Sequence, residues 1–179
     1  TDATLVSLDR ISGVASFDVE HCQSNIYAGT RLYDLDQHLQ QQSINQALMN
    51  QGDIDQQSLA GAVSTGTHGT GADLHCISAY VEAFELLTAS GEILKCSRTE
   101  NSEIFAAGRV SLGSLGILTK ITMQNRPRYK LKEHIQLCLV EDMMQNIQQW
   151  KHQHRHIECF VFSHEKQLML KTLDETDEA

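Results

Sequence analysis

The sequence predicts an α+β chain in two parts, and three observations carry that expectation. Short runs rich in β-branched and apolar residues recur along the chain, each bounded by polar residues or glycine, as strands are. Between them, apolar residues return at spacings of three and four, the period of a helix face. The single proline, Pro127, breaks the strand pattern, because proline has no amide hydrogen to give to a ladder. A domain boundary is expected there, with residues 1–126 in one domain and residues 127–179 opening another.

Taken in order, Thr4–Leu8, Val14–Val19 and Asn25–Ala28 read as strands. Leu32, Leu35 and Leu39 then share one helical face. The Gln-rich patch around Gln40, Gln41 and Gln42 carries no pattern. Ser58–Val63 reads as a short helix that leads into a glycine-dense stretch ending at Gly71. Ala79–Thr88 alternates as a strand does, and Ala89–Glu92 turns it into Ile93–Cys96, a hairpin. Ser102–Ala107 fits one or two helical turns with Asn101 as the N-cap. Ile117–Met123 returns to strand. Beyond Pro127, Lys132–Val140 reads as a strand and Glu141–Lys151 as a helix, with Trp150, Met143 and Met144 expected in the core. His156–Phe162 and Gln167–Leu173 complete the pattern as two strands joined near Ser163–Lys166. The acidic tail Asp174–Ala179 is expected to be a loop.

Composition narrows the function classes. The 179 residues suffice for one sizeable core, or for one domain and part of another. With 23 acidic residues against 14 basic ones the net charge is −9, and the chain repels phosphate at long range. Nucleic acid, which is bound mainly through Lys and Arg on its phosphates, is therefore a poor partner. No apolar run approaches the ~18–20 residues that span a bilayer. Thr1-Asp2-Ala3 carries no initiator Met and is expected to lie inside a longer protein. The five cysteines are odd in number and include no CxxC pair, so reduced thiols in a cytoplasmic protein are expected.

The chemistry concentrates between Asn50 and Gly71. Gly61, Gly66, Gly69 and Gly71 fall within eleven residues, and Ser58, Ser64, Thr65, Thr67 and Thr70 fill the gaps. Glycines allow close backbone approach, and successive N–H groups beside a helix terminus can form a concave anion site. A pyrophosphate-bearing cofactor suits such a surface, and a turn that holds no ligand is the competing reading. Two other phosphate motifs fail. Gly61 and Gly66 have P-loop spacing, but Thr67-His68 stands where a Lys is required, and no GxGxxG opens a βαβ unit. A second constellation, Gly108–Thr119, sets Gly113 and Gly116 around a small turn before a strand. Zinc ligation by His152, His154, His156 and Cys159 is not expected, because His154 and His156 enter a strand whereas His152 ends a helix.

Together these segments resemble the flavin-dependent oxidases of the vanillyl-alcohol-oxidase, or PCMH, type. The branch they resemble most is that of the aldonolactone (gulono- and arabinono-lactone) and alditol oxidases. The resemblance rests on Thr4–Arg10, Ala28–Leu35, Ser58–Gly71, Leu87–Glu92, Ser111–Thr119 and His154–Phe162, which follow one another in order along nearly the whole chain. It implies a PCMH-type FAD-binding subdomain, a mixed or antiparallel sheet with flanking helices, followed by the start of an α+β substrate domain. FAD is the implied cofactor. Gly52, Asp53, Ser58, Gly61, Ala62, Val63, Ser64 and Thr65 are its implied contacts, largely through backbone, with Ile117 at the adenine end. His68 is either a polar anchor beside the pyrophosphate or a structural histidine tying the glycine turns together. Gly52 resembles a gate residue, where Gly tends to accompany oxidases and Ala dehydrogenases.

The resemblance places a flavin-contacting Gly-x-Gly-His-Ser loop before the segment matching Thr1, and the catalytic Glu, Arg and Lys after the segment matching Ala179. No catalytic residue is therefore expected within the chain. The implied reaction is oxidation of a CH–OH group of a sugar lactone or alditol, with O2 as acceptor. A dehydrogenase using a quinone or cytochrome, and a non-catalytic glycine-rich binding module, are the alternatives. A cytoplasmic location is expected, with peripheral membrane association of the full-length protein left open. With one wall of the cofactor site upstream, the isolated chain should bind FAD weakly or not at all. Titration of FAD into the purified chain checks this, and a nanomolar complex would contradict it.

Overall fold

The structure, a computed structural model, describes residues 5–40 and 45–178, and the chain divides into two units. The first unit runs to His68 and resumes over His75–Arg128. The second takes Gly69–Leu74 together with the chain from Tyr129 onward.

In the first unit, β1 (Val14–Asp18) and β2 (Gln23–Tyr27) form an antiparallel pair, followed by α1 (Leu32–Leu39). Leu32, Leu35 and Leu39 are all buried, as the spacing of three and four requires, and each full burial of a leucine is worth roughly 1.5–3 kcal/mol. The short strand β3 (Gln46–Leu48) and helix α2 (Leu59–Ser64) come next. A tight helical turn at Ile77–Tyr80 opens β4 (Val81–Leu87), which pairs with β5 (Ile93–Ser97) across the hairpin turn. Helix α3 (Ser102–Gly108) lays Phe105 against Phe84 of β4, ring centroids 5.6 Å apart. Strand β6 (Ile117–Pro127) then runs through the middle of the sheet, in the order β1-β2-β6-β4-β5, and also pairs with β3. Every strand pair among the described residues is antiparallel.

Several expectations need correction. Of the strand expected at Thr4–Leu8, Thr4 lies outside the described residues, and Leu5–Leu8 forms no strand; Leu5 and Val6 are exposed, with nothing paired to them. Gln41 and Gln42 also lie outside the described residues. Asn101 does stand before α3, but its backbone is left-handed (φ 48°) and its side chain makes no cap. It donates instead to the Lys95 carbonyl at 2.7 Å. Strand β6 continues through Arg126 to Pro127, which pairs opposite Gln46. Strand β3 carried no sequence signal because its anchor is polar. Asn125 donates to Ser24 Oγ at 2.7 Å and to Gln46 Oε1 at 2.8 Å, and all three side chains are buried. These bonds pin β2, β6 and β3 in one register.

In the second unit, β7 (Lys130–Leu139), α4 (Val140–Gln153), β8 (His156–Val161) and β9 (Gln167–Thr176) form a three-stranded sheet in the order β7-β9-β8, with one helix. Leu168, Leu170 and Thr172, alternate residues of the central strand, are buried. The start of the expected tail is strand: Asp174, Glu175 and Thr176 pair with Lys132, Leu131 and Lys130. Trp150, Met143 and Met144 are not core residues, since α4 buries none of its side chains and Met144 is 68% exposed.

Gly69–Leu74 forms a strap within this unit. His156 Nδ1 lies 3.0 Å from the Thr70 carbonyl oxygen and 3.1 Å from Thr70 Oγ1, and with its proton on Nδ1 the ring donates to the carbonyl. Burial pushes the His156 pKa below its ordinary value of 6.5; the Arg155 charge acts in the same direction, whereas the Thr70 bond and the charges of Glu158 and Asp174 oppose it. Burial alone would raise the Asp174 pKa, but bonds from His154 and from the Arg155 amide outweigh it and hold the carboxyl low. A histidine with a depressed folded pKa binds its proton more readily when unfolded. The stability it contributes is therefore whole above about pH 6.5 and is lost as pH falls toward the folded value. His156→Gln, which keeps an amide donor for Thr70, should flatten the decline in melting temperature between neutral pH and the onset of Asp174 protonation. Thermal melts of both proteins across that range check it.

Candidate functional site

The glycine-dense segment is built on the turn after β2. The amides of Leu59 and Ala60 donate to the carbonyls of Thr30 and Ala28 at 2.8 and 2.9 Å, and those of Leu32 and Tyr33 donate to Gln57 and Asp55 at 3.0 and 3.1 Å. Ser58 caps α2, its Oγ accepting from the Gly61 amide at 3.2 Å. The Ala62 amide donates to the Ser58 carbonyl at 2.9 Å. The first amides of α2 thus all have protein acceptors, and the helix terminus expected to assist an anion site offers no spare donor there.

What α2 offers instead is space. A Cβ added at Gly61 would meet only Ser58 Oγ, at 3.3 Å, within 4 Å. Ala62 and Val63 next to it are wholly buried, backbone included, and present no surface to a ligand. Beyond the helix a row of hydroxyls continues. Thr65 Oγ1 donates to the Gly61 carbonyl at 2.8 Å and lies 3.3 Å from Thr67 Oγ1, which donates to Gln57 Oε1 at 3.1 Å. Gly52 lies alongside, half-buried. Its φ is not left-handed, and a Cβ there would stand 3.1 Å from the His68 carbonyl oxygen and 3.6 Å from a Thr67 methyl. Asp53 and His68 are exposed.

The second glycine constellation touches the first. The Leu112 amide donates to the Ser64 carbonyl at 3.0 Å, and Val110 methyl groups would lie 3.5 and 3.7 Å from a Cβ on Gly66. Gly116 is the one residue type its position accepts: φ is 144°, and a Cβ would come 2.4 Å from the Leu87 carbonyl oxygen. The loop then delivers Ile117, half-buried, as the first residue of β6, opposite Leu87. Ser58, Gly61, Ser64 and Thr65 are at least partly exposed on and after α2, with Gly52 beside Thr67 and His68, whereas Ala62 and Val63 lie in the core.

Arg109 was not singled out from the sequence. Its guanidinium lies over the Phe105 ring, 5.3 Å from the centroid, and its buried Nε has no hydrogen-bond partner. The available signal was the cation opening a glycine loop in an acidic chain. The histidines do not converge on a metal. His152 meets Asp73, His154 meets Asp174 and His156 meets Thr70, and no cluster of three or more ligand-type side chains occurs among the described residues.

An open cradle at Gly61, a run of neutral hydroxyls and an orphaned buried guanidinium N–H fit a large anionic cofactor held by backbone and hydroxyl groups. Comparison with known proteins identifies it. An FAD-binding domain family model matches residues 1–97, and the chain belongs to this FAD-binding family. A D-arabinono-1,4-lactone oxidase model matches residues 121–179. L-gulono-1,4-lactone dehydrogenase of Mycobacterium tuberculosis is 32% identical over 178 residues, 99% of this chain and 40% of that protein. L-gulonolactone oxidase of Bos taurus is 30% identical over 177 residues, again 99% and 40%. D-arabinono-1,4-lactone oxidase of Debaryomyces hansenii is 33% identical over 129 residues, 72% of this chain and 23% of that protein. A solved carbohydrate oxidase of Microdochium nivale shares the fold with a TM-score of 0.75 at 18% identity, over 93% of this chain and 37% of that one. The chain thus spans about 40% of the length of the first two relatives.

Gly61→Val in the full-length protein should lower the melting temperature of the apoprotein by only a few degrees, because the added Cβ meets one atom, Ser58 Oγ at 3.3 Å, which must give by a few tenths of an ångström. If the cofactor passes Gly61 closely, FAD occupancy should fall sharply. Flavin absorbance per protein and apoprotein melts measure the two effects separately.

Proposed function

We propose that the full-length protein oxidises the CH–OH group of a sugar lactone or alditol, with FAD as cofactor and O2 as electron acceptor. The observation that carries this reading is the joint match: FAD-binding sequence over 1–97 and lactone-oxidase sequence over 121–179, within relatives that align along 99% of the chain. Bound FAD supplies the hydride acceptor. This chain's part is to hold it. Gly61 leaves room for close approach, and the backbone of Ser64 and Thr65 follows the cofactor while their neighbours Thr67 and Gln57 keep the turn rigid. Ile117 meets the adenine end through its backbone. No residue of the chain is assigned to catalysis. A cytoplasmic location is part of the proposal, as is a small polyol or lactone partner. Anaerobic mixing of the full-length protein with L-gulono- or D-arabinono-lactone should bleach the flavin band; failure with lactones and alditols alike would overturn the substrate assignment.

A dehydrogenase reading is favoured by the name of the mycobacterial relative. Gly52 separates the two. Its backbone does not need glycine for a left-handed turn, so what glycine provides is space, and one methyl decides whether a small gap exists in a packed interior. A Cβ there stands 3.1 Å from the His68 carbonyl, which must give way by a few tenths of an ångström. Gly52→Ala should leave reduction of the flavin by substrate nearly intact and slow reoxidation by air by an order of magnitude or more. Stopped-flow measurement of each half-reaction checks it; equal losses would assign Gly52 to the turn alone.

A further inference from the structure

Arg109 ends α3 and opens the loop that leads to β6. Arg31, Arg98, Arg128 and Arg155 each reach a carboxylate, on Asp9, Glu82, Asp36 and Glu175. Arg109 reaches none among the described residues, in a chain with 23 acidic residues to 14 basic ones. Its Nε is buried without a hydrogen-bond partner. A helix C-terminus and an aromatic face both favour a cation at this place, but neither accepts the Nε–H bond, and a buried donor left unmade is penalised. A guanidinium stays charged at any physiological pH, so the group cannot escape by losing its proton.

The loop that Arg109 opens is fastened to the glycine-and-hydroxyl segment by the Leu112 amide on Ser64 and by Val110 against Gly66. That segment, Asn50–Gly71, contains Asp53 and Asp55 but no Lys or Arg. A pyrophosphate placed along it would find neutral donors and acidic neighbours. We infer that Arg109 supplies the missing charge and binds a phosphate oxygen of the dinucleotide cofactor; this rests on the FAD reading above. Phe105 holds the planar fork from one side, and the phosphate satisfies its remaining donors, the charge-assisted arrangement in which arginine is strongest.

The test uses the full-length protein stripped of flavin, its Arg109→Gln variant and its Arg109→Lys variant. Affinities for FAD and for ADP, which carries the same pyrophosphate without the flavin, are measured by calorimetry at several salt concentrations. Arg109→Gln should weaken both roughly 10- to 100-fold, the range of a hydrogen bond to a charged group. Its affinity should also depend less on salt, and the apoprotein should melt at the wild-type temperature. Arg109→Lys should recover part of the loss. Unchanged FAD affinity in Arg109→Gln would overturn the assignment, as would a loss of affinity that follows a lower apoprotein melting temperature with an unaltered salt dependence. Wild-type protein that takes up no FAD would overturn the cofactor reading itself, which separates the two failures.

Discussion

The first unit depends on β6 having partners along both of its edges. Strand β2 pairs along Lys120–Gln124, β4 along Ile117–Met123, and β3 along Asn125–Pro127, so nearly every residue of the strand has a backbone partner. Buried alternate positions Leu118, Ile121 and Met123 supply the apolar contribution, and Asn125 fixes the register through side-chain bonds that only one alignment can satisfy. The strand can begin where it does because Gly116 lets the backbone pass the Leu87 carbonyl closer than any side chain permits. The loop ahead of it is thereby held against the end of α2. Sheet register and cofactor surface are set by the same few residues.

The surface itself illustrates how an acidic protein can receive an anionic cofactor. In the proposed site charge is not spread over a basic patch; backbone, hydroxyls and one guanidinium divide the work. The helix N-terminus, a frequent partner of phosphate, is occupied by the turn after β2, which accepts its amides to brace the helix. In the proposed site, close approach at Gly61 takes its place.

Elements with a strong period were legible in the sequence. The leucines of α1, the hairpin between β4 and β5, and the short helix α2 each follow from local rules that tertiary contacts did not override. What could not be read was set by partners distant in sequence. Strand β3 is three residues long and anchored by Gln46 on Asn125, 79 positions away. Asp174–Thr176 looked like solvated tail until paired with Lys130–Lys132. Asn101 has the chemistry of a cap, yet the Lys95 carbonyl claims its amide. The glycine segments stood out in the sequence because their residue types are unusual in that density. Their contact with each other, through Leu112 and Ser64, and the isolation of Arg109 were not.

The strap Gly69–Leu74 gives the two units an interleaved connectivity. The chain leaves the first unit at His68, returns at His75 and leaves again after Arg128. Evolutionary exchange of the second unit between relatives is therefore constrained: a single recombination breakpoint near residue 128 would import a new β8 while keeping the old strap. Thr70 would then face whatever residue the donor carries at the position of His156, and Gly71 whatever backbone replaces that of Arg155. Swaps should succeed only between lineages that share this pairing, or with a second breakpoint that moves six residues from the middle of the cofactor domain along with the distant half. The strap is in that sense inherited with the second unit, although it is encoded inside the first.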